Sequence, residues 1–212
     1  MNHTFEYIPY ISRRNGHIKS EENLALLDKY SCSSSIAYRR VGFALFNLEI
    51  GFGSGEFILQ EAIKNPGAFY YGCEVYNPGI VKLVRNLESK NIDNVCVYKG
   101  DAREFLLGAP DMFFENIYVL FPDPWPKKKH HKRRLINANF LQFIAKKFRS
   151  GLHIATDHDG YAKSILHEVS QCDSYVIERL EMTRDKIFGT KFETKAMSRD
   201  SSILSLILKH RS

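Results

Sequence analysis

Cysteine is scarce in this chain. Cys32, Cys73, Cys96 and Cys172 are the whole set, and no two of them stand at the paired spacing of a metal site. Cys73 and Cys96 fall inside apolar runs that read as strands, where a thiol serves as a small apolar residue, so the four are expected to be reduced and structural. No apolar stretch approaches the roughly 20 residues of a membrane span, which argues against insertion in a bilayer. The first 16 residues lack the uninterrupted apolar centre of a secretion signal and carry Glu6, Arg13 and Arg14 instead. A cytoplasmic protein is the expectation. There is also no internal repeat, low-complexity segment or interdomain linker. What remains is ordinary globular material, 212 residues with 44% hydrophobic and 25% charged content. That suffices for one core burying roughly 70% of the unfolded surface.

Charge is distributed unevenly. The net charge of +6 equals the number of cations in one acid-free run of eight residues: Lys127, Lys128, Lys129, Lys132, Arg133 and Arg134. The rest of the chain is neutral. A confined basic patch implies a polyanionic partner more than a general solubility device. Runs of this kind also serve as nuclear localisation signals, but this one adjoins an acid, Asp123, in a proline-braced loop. Its neighbours His130 and His131 point apart and lack a further ligand set, so no metal is expected there.

The organising stretch is Asn47-Leu48-Glu49-Ile50-Gly51-Phe52-Gly53-Ser54-Gly55-Glu56-Phe57. Residues 43–50 read as a strand buried on both faces, followed by a glycine turn and a helix beginning near Ser54. Gly51, Gly53 and Gly55 allow the backbone to bring its N–H groups close to a ligand at the positive end of that helix. The dinucleotide fingerprint spaces its glycines differently, and here Glu49 precedes the first by two residues, which favours a ligand without a pyrophosphate.

Downstream, strands and helices alternate. Strands are predicted over 68–75, 95–98, 116–121, 152–157, 175–180 and 203–208. Helices are predicted from an Asn77 cap with Pro78 in the first turn, from Ala102, over 135–148 and over 161–169. This is the pattern of an α/β fold with a mostly parallel, doubly wound sheet whose last strand is antiparallel. Residues 1–42 stand apart as a mobile N-terminal arm with a short helix at 21–30, and 43–212 form the domain. Tyr7, Tyr10, Arg13, Arg14 and Lys19 of the arm are candidate RNA contacts, with a merely loose terminus the equal alternative.

Acids cluster at the carboxyl ends of the strands, where open α/β sheets bind ligands. Glu74 ends the second strand and is placed to accept both hydroxyls of a ribose. Asp101 follows the third and can hold an adenine amino group while capping the next helix. Asp123 follows the fourth and Asp157 the fifth. Phe121 and Trp125 flank Asp123 as stacking surfaces, although Trp125 serves equally well as a packing residue that fixes the loop.

Acid-x-Gly-x-Gly-x-Gly at 49–55 resembles motif I of class I S-adenosylmethionine-dependent methyltransferases. With Gly72-Cys73-Glu74-Val75, Gly100-Asp101-Ala102, Phe121-Pro122-Asp123-Pro124-Trp125-Pro126-Lys127-Lys128, His130-His131-Lys132-Arg133-Arg134, Ala155-Thr156-Asp157 and Thr190-Lys191-Phe192-Glu193, the chain resembles the TrmB family. These are tRNA (guanine-N7)-methyltransferases. The resemblance implies a Rossmann-like fold and methyl transfer from S-adenosylmethionine to N7 of a guanosine in the tRNA variable loop, tRNA position 46. It also implies no metal. Carried over position by position, Glu49, Gly51, Gly53, Gly55, Glu74, Asp101 and Asp123 bind the cofactor, with Asp123 catalytic. Lys127, Asp157, Thr190, Lys191, Phe192 and Glu193 contact the tRNA substrate. The chain looks like the single-subunit bacterial type, a monomer or homodimer without an obligatory protein partner. His158 stands where the family usually has an aromatic residue. A methyltransferase acting on another RNA purine and an RNA-binding module without turnover are the competing functions. The Pro-Asp-Pro-Trp loop argues against the first and the retained acids against the second.

Overall fold

The structure, a computed structural model, describes residues 18–32, 42–185, 187–199 and 201–211. Tyr7, Tyr10, Arg13 and Arg14 lie outside the described residues. Seven strands form one sheet: β1 (Leu45–Ile50), β2 (Ala68–Glu74), β3 (Val95–Lys99), β4 (Phe114–Leu120), β5 (Phe148–Thr156), β6 (Tyr175–Thr183) and β7 (Ile203–His210). Their order is β3-β2-β1-β4-β5-β7-β6. β7 alone runs against its neighbours, pairing antiparallel with β5 and β6. The strand order reverses between β1 and β4, and their carboxyl ends open there into a crevice.

Side-chain alternation divides the core. Phe69, Tyr71, Leu48, Ile50, Ile117 and Ile154 face α4 (Ala102–Gly108), α5 (Ala138–Ile144) and α6 (Asp159–Ser170). Ala68, Tyr70, Val95 and Val97 face α2 (Glu56–Lys64) and α3 (Asn77–Ser89). The α3 residues Ile80, Leu83, Val84 and Leu87 recur at helical spacing and are all fully buried. Each contributes about 1.5–3 kcal/mol by leaving water. Asn77 lies inside the first turn of α3, with Tyr76 in the capping position, one residue earlier than the sequence suggests.

The helix of the arm, α1 (Glu21–Tyr30), is docked rather than loose. Tyr30 is buried, its hydroxyl and the Lys29 ammonium both reach Glu88 of α3, and Ser31 bridges to Val97 of β3. The helix expected over 135–148 is confined to α5. Asn137 caps it by accepting from the Phe140 amide at 3.0 Å, and β5 already begins at Phe148. Leu135 and Ile136 are held outside the helix, the Ile136 amide donating to the Tyr161 hydroxyl at 3.0 Å. Among the described residues no helix is long and apolar enough to cross a membrane.

Candidate active site

The crevice holds a cleft of about 290 Å³, close to the lower end of the roughly 300–1,000 Å³ typical of small-molecule sites. Ile50, Gly51 and Gly53 form one wall, Glu74, Val75 and Tyr76 a second, and Asp101 to Arg103 a third. Phe121, Asp123, Trp125, Arg133 and Phe192 close the rim.

The glycine turn takes left-handed backbone at all three positions, φ 74°, 58° and 75° for Gly51, Gly53 and Gly55. Gly51 and Gly53 line the cleft. Gly55 turns away to cap α2, and a Cβ on it would meet Leu83 at 2.7 Å. One further glycine, unnoticed in the sequence, makes the turn possible: a Cβ on Gly79 of α3 would lie 1.9 Å from the Gly53 carbonyl oxygen. In the sequence it stands in Asn77-Pro78-Gly79, a pattern that marks a helix start and not a contact with the turn.

Glu74 locks this turn from β2. One carboxylate oxygen accepts from the Gly53 amide at 2.8 Å, the other from the amides of Val75 and Tyr76 at 2.7 and 2.9 Å. Burial pushes its pKa up, the three amides oppose that, and the charge of Asp123 adds to the rise. Glu49 is buried behind the turn, outside the lining, and accepts from the Ile58 amide of α2 at 3.1 Å. Burial pushes it up to about 8, the Ile58 amide opposes, and the charges of Glu74 and Glu56 reinforce the rise. At neutral pH Glu49 is therefore mostly protonated, a strut beneath the turn.

Asp101 caps α4 as expected, accepting from the Arg103 amide at 2.9 Å. Its two oxygens also face the Arg103 guanidinium, at 2.8 Å to Nε and 2.5 Å to Nη2, with both side chains nearly buried. Arg103 was invisible as a site residue in the sequence. Only its place two positions after a capping acid hinted at the fork.

Beyond β4 the chain turns sharply. Phe121 and Trp125 both adopt positive φ, 54° and 43°, conformations rare for bulky side chains. Asp123 lies between them on the exposed rim of the cleft that Glu74 also lines, near enough for its charge to act on Glu74. The basic run forms a short 3₁₀ turn, Lys128–Arg133. Its six cations divide by role. Arg133 stacks on Trp125, 5.0 Å from the ring centre, with His130 edge-on to the same ring. Arg134 is buried: Nε donates to the Pro124 carbonyl at 2.9 Å, Nη1 reaches the Gly160 carbonyl at 3.4 Å, and the guanidinium covers the Tyr161 ring at 4.8 Å. A phosphate-contacting Arg134, implied by treating the run as one patch, does not agree with this burial. Lys127, Lys128, Lys129 and Lys132 remain exposed outside the cleft.

Asp157 follows β5, half-buried and outside the cleft lining. His158, the departure from the family pattern, caps α6, Nδ1 accepting from the Tyr161 amide at 3.1 Å. Thr190 caps the start of α7 (Lys191–Ser198). The Thr190 hydroxyl accepts from the Glu193 amide at 3.0 Å. The Glu193 carboxylate, fully buried, gathers the amides of Ile187, Phe188 and Gly189. Of that C-terminal quartet only Phe192 reaches the cleft. Its half-exposed ring stacks on Phe121 at 6.4 Å, with Cε2 3.5 Å from where a Gly53 Cβ would lie. Among the described residues there is no group of three or more His, Cys, Asp or Glu side chains arranged to hold a metal ion.

A glycine turn, a strand-end acid and an aromatic-rimmed cleft on a 3-2-1-4-5-7-6 sheet define a class I S-adenosylmethionine-dependent methyltransferase. Solved methyltransferases share the architecture. The 16S rRNA methyltransferase KamB aligns with TM-score 0.62 at 12% identity over 96% of this chain and 99% of its own. An antibiotic-related methyltransferase aligns at 0.61 and 17%, over 93% and 97%. Residues 44–206 match the family described as "Putative methyltransferase". Among curated relatives, the tRNA (guanine-N(7)-)-methyltransferase of Wolbachia pipientis wMel is 41% identical over 71% of this chain and 68% of its own length. That of Neorickettsia sennetsu is 32% identical over 92% and 88%. The enzyme of Buchnera aphidicola subsp. Baizongia pistaciae is 38% identical over 85% and 80%. The chain belongs to the TrmB family of tRNA (guanine-N7)-methyltransferases.

Proposed function

We propose that this protein methylates N7 of a guanosine in the tRNA variable loop, position 46, in the cytoplasm, with Asp123 as the catalytic carboxylate. The observation that carries the reading is that two acids line one cleft. Glu74, buried and tied to the glycine turn, serves the cofactor side, and Asp123, exposed on a fixed loop, serves the side open to RNA.

The residues present fit S-adenosylmethionine. Glu74 keeps lone pairs free beside its amide contacts for a ribose diol, Ile50 and Val75 offer apolar walls to an adenine, and Gly51 leaves open space where a Cβ would stand. When bound, the cofactor supplies an electrophilic methyl on a sulfonium. Guanine N7 already carries an available lone pair, so the protein needs no general base and contributes positioning and charge. Asp123 is placed to hold the guanine through its N–H donors and to favour the positive charge that the ring acquires. Phe121 and Phe192, already stacked, offer a surface for the base, at roughly 1–3 kcal/mol. Lys127 and the other exposed lysines serve the phosphates, Asp157 and Lys191 contact the tRNA outside the cleft, and the buried Thr190 and Glu193 act only through the segment that carries Phe192. Asp101, held in a fork by Arg103, stands on the cleft wall as the acid for an adenine amino group.

Labelled S-adenosylmethionine and unmodified tRNA transcripts, followed by digestion to nucleosides, test the reading. Formation of 7-methylguanosine, abolished when the variable-loop guanosine is replaced, supports it. Cofactor binding without tRNA methylation moves the substrate to another RNA.

A further inference from the structure

From its buried contacts we infer that Arg134 is a positioning residue for the Asp123 loop, acting from within the protein rather than on the RNA. The inference rests on the proposed role of Asp123. The loop between β4 and the 3₁₀ turn has little regular structure of its own. Its hydrogen-bonded start is the Phe121 amide on the Ala155 carbonyl at 2.8 Å. Two positive-φ residues, Phe121 and Trp125, bracket Pro122, Asp123 and Pro124, and such conformations persist only where surroundings hold them. Arg134 supplies that hold. Its Nε donates to the carbonyl of Pro124, the residue directly after Asp123, while the same guanidinium reaches the Gly160 carbonyl and sits over the Tyr161 ring, 4.8 Å from its centre. Tyr161 is itself fully buried and fixed through its hydroxyl by the Ile136 amide. The chain of contacts therefore runs from α6 through Arg134 to the peptide that carries the catalytic carboxylate.

This arrangement needs a guanidinium. A planar group with several donors can bond two carbonyls and stack on a ring together, whereas an ammonium is a point donor that cannot do all three. Arg134→Lys keeps the charge and removes the strut, which separates the two roles sharply. A phosphate contact tolerates lysine; the strut does not.

Trp125 is the only tryptophan in the chain and lies in this loop, so its fluorescence reports loop order without reference to activity. For Arg134→Lys we expect stronger acrylamide quenching of Trp125 and a kcat lower by about 10- to 100-fold, as befits a misplaced reacting group. KM for tRNA and the salt dependence of its binding stay near wild type, and Tyr161→Leu, which removes the ring beneath the guanidinium, shows the same pattern non-additively with Arg134→Lys. The His167→Gln variant, at an exposed position of the same helix, controls for a general effect on α6 and leaves quenching unchanged. Wild-type quenching and kcat in Arg134→Lys overturn the inference, as does a raised KM with a shallower salt slope. If wild type forms no 7-methylguanosine while Arg134→Lys still raises Trp125 quenching, the functional reading fails and the strut stands. If wild type is active and quenching is unmoved, the strut alone fails.

Discussion

Glu49→Gln tests the account of the glycine turn through pH. Glu49 is 4% exposed, and burial holds its folded pKa near 8 against an ordinary 4.5. The folded state thus keeps a proton that the unfolded chain releases above pH 4.5. Stability from this group is complete below that value and is lost as pH rises through about 8. Each pH unit inside that window is worth about 1.4 kcal/mol. Between about pH 6 and about pH 9 the Glu49 contribution therefore falls by roughly 2–3 kcal/mol. Glutamine keeps the size and an oxygen for the Ile58 amide but cannot ionise. Urea unfolding of wild type and Glu49→Gln across this range measures the difference. The variant should lose less stability than wild type on the alkaline side by about that amount. Parallel pH profiles would refute the protonated-strut account and return Glu49 to an ionised role in the cleft.

Gly79→Ala places a Cβ within 1.9 Å of the Gly53 carbonyl, backbone that cannot step aside cheaply. It should abolish measurable cofactor binding by calorimetry while an alanine at the neighbouring surface position Lys82 does not. Glu74→Gln removes the charge that accepts three amides and faces the ribose side, and cofactor affinity should fall about 10- to 100-fold. Alanine at any one of the exposed Lys127, Lys128, Lys129 or Lys132 should reduce the slope of log affinity for tRNA against log salt by about 0.7–0.9 where that lysine meets a phosphate.

The sheet was readable because its signals are local. Apolar runs bounded by glycine and acid mark β1 to β5, and the spacing of Ile80, Leu83, Val84 and Leu87 marks α3. The placement of Glu74, Asp101, Asp123 and two glycines in one cleft followed from strand ends alone, since parallel topology brings those ends together. What sequence pattern did not carry was burial. Glu49 and Glu193 look like site acids in a string of letters, yet each satisfies backbone amides out of water. Arg134 is chemically identical to Arg133 beside it in the basic run, and only its contacts with Pro124, Gly160 and Tyr161, the last twenty-seven residues on, turn it inward. Gly79 matters through a contact across elements, to Gly53, and Arg103 through a side-chain fork on the capping Asp101 two residues before it; one sequence offers no periodicity for either. Residues 135–136 were helical by composition, but the Tyr161 hydroxyl captures the Ile136 amide and delays the helix to Ala138.

In the proposed function the Asp123 carboxylate drives methylation of a single variable-loop guanosine. Single-turnover reactions with saturating wild type or Asp123→Asn, read by reductive strand cleavage at 7-methylguanosine in end-labelled tRNA, address it directly. The account predicts one cleavage at position 46 for wild type, and for the variant a chemical step slower by about 10- to 100-fold with cofactor affinity within a few-fold. Cleavage elsewhere in the tRNA, or an Asp123→Asn chemical step as fast as wild type, would contradict it.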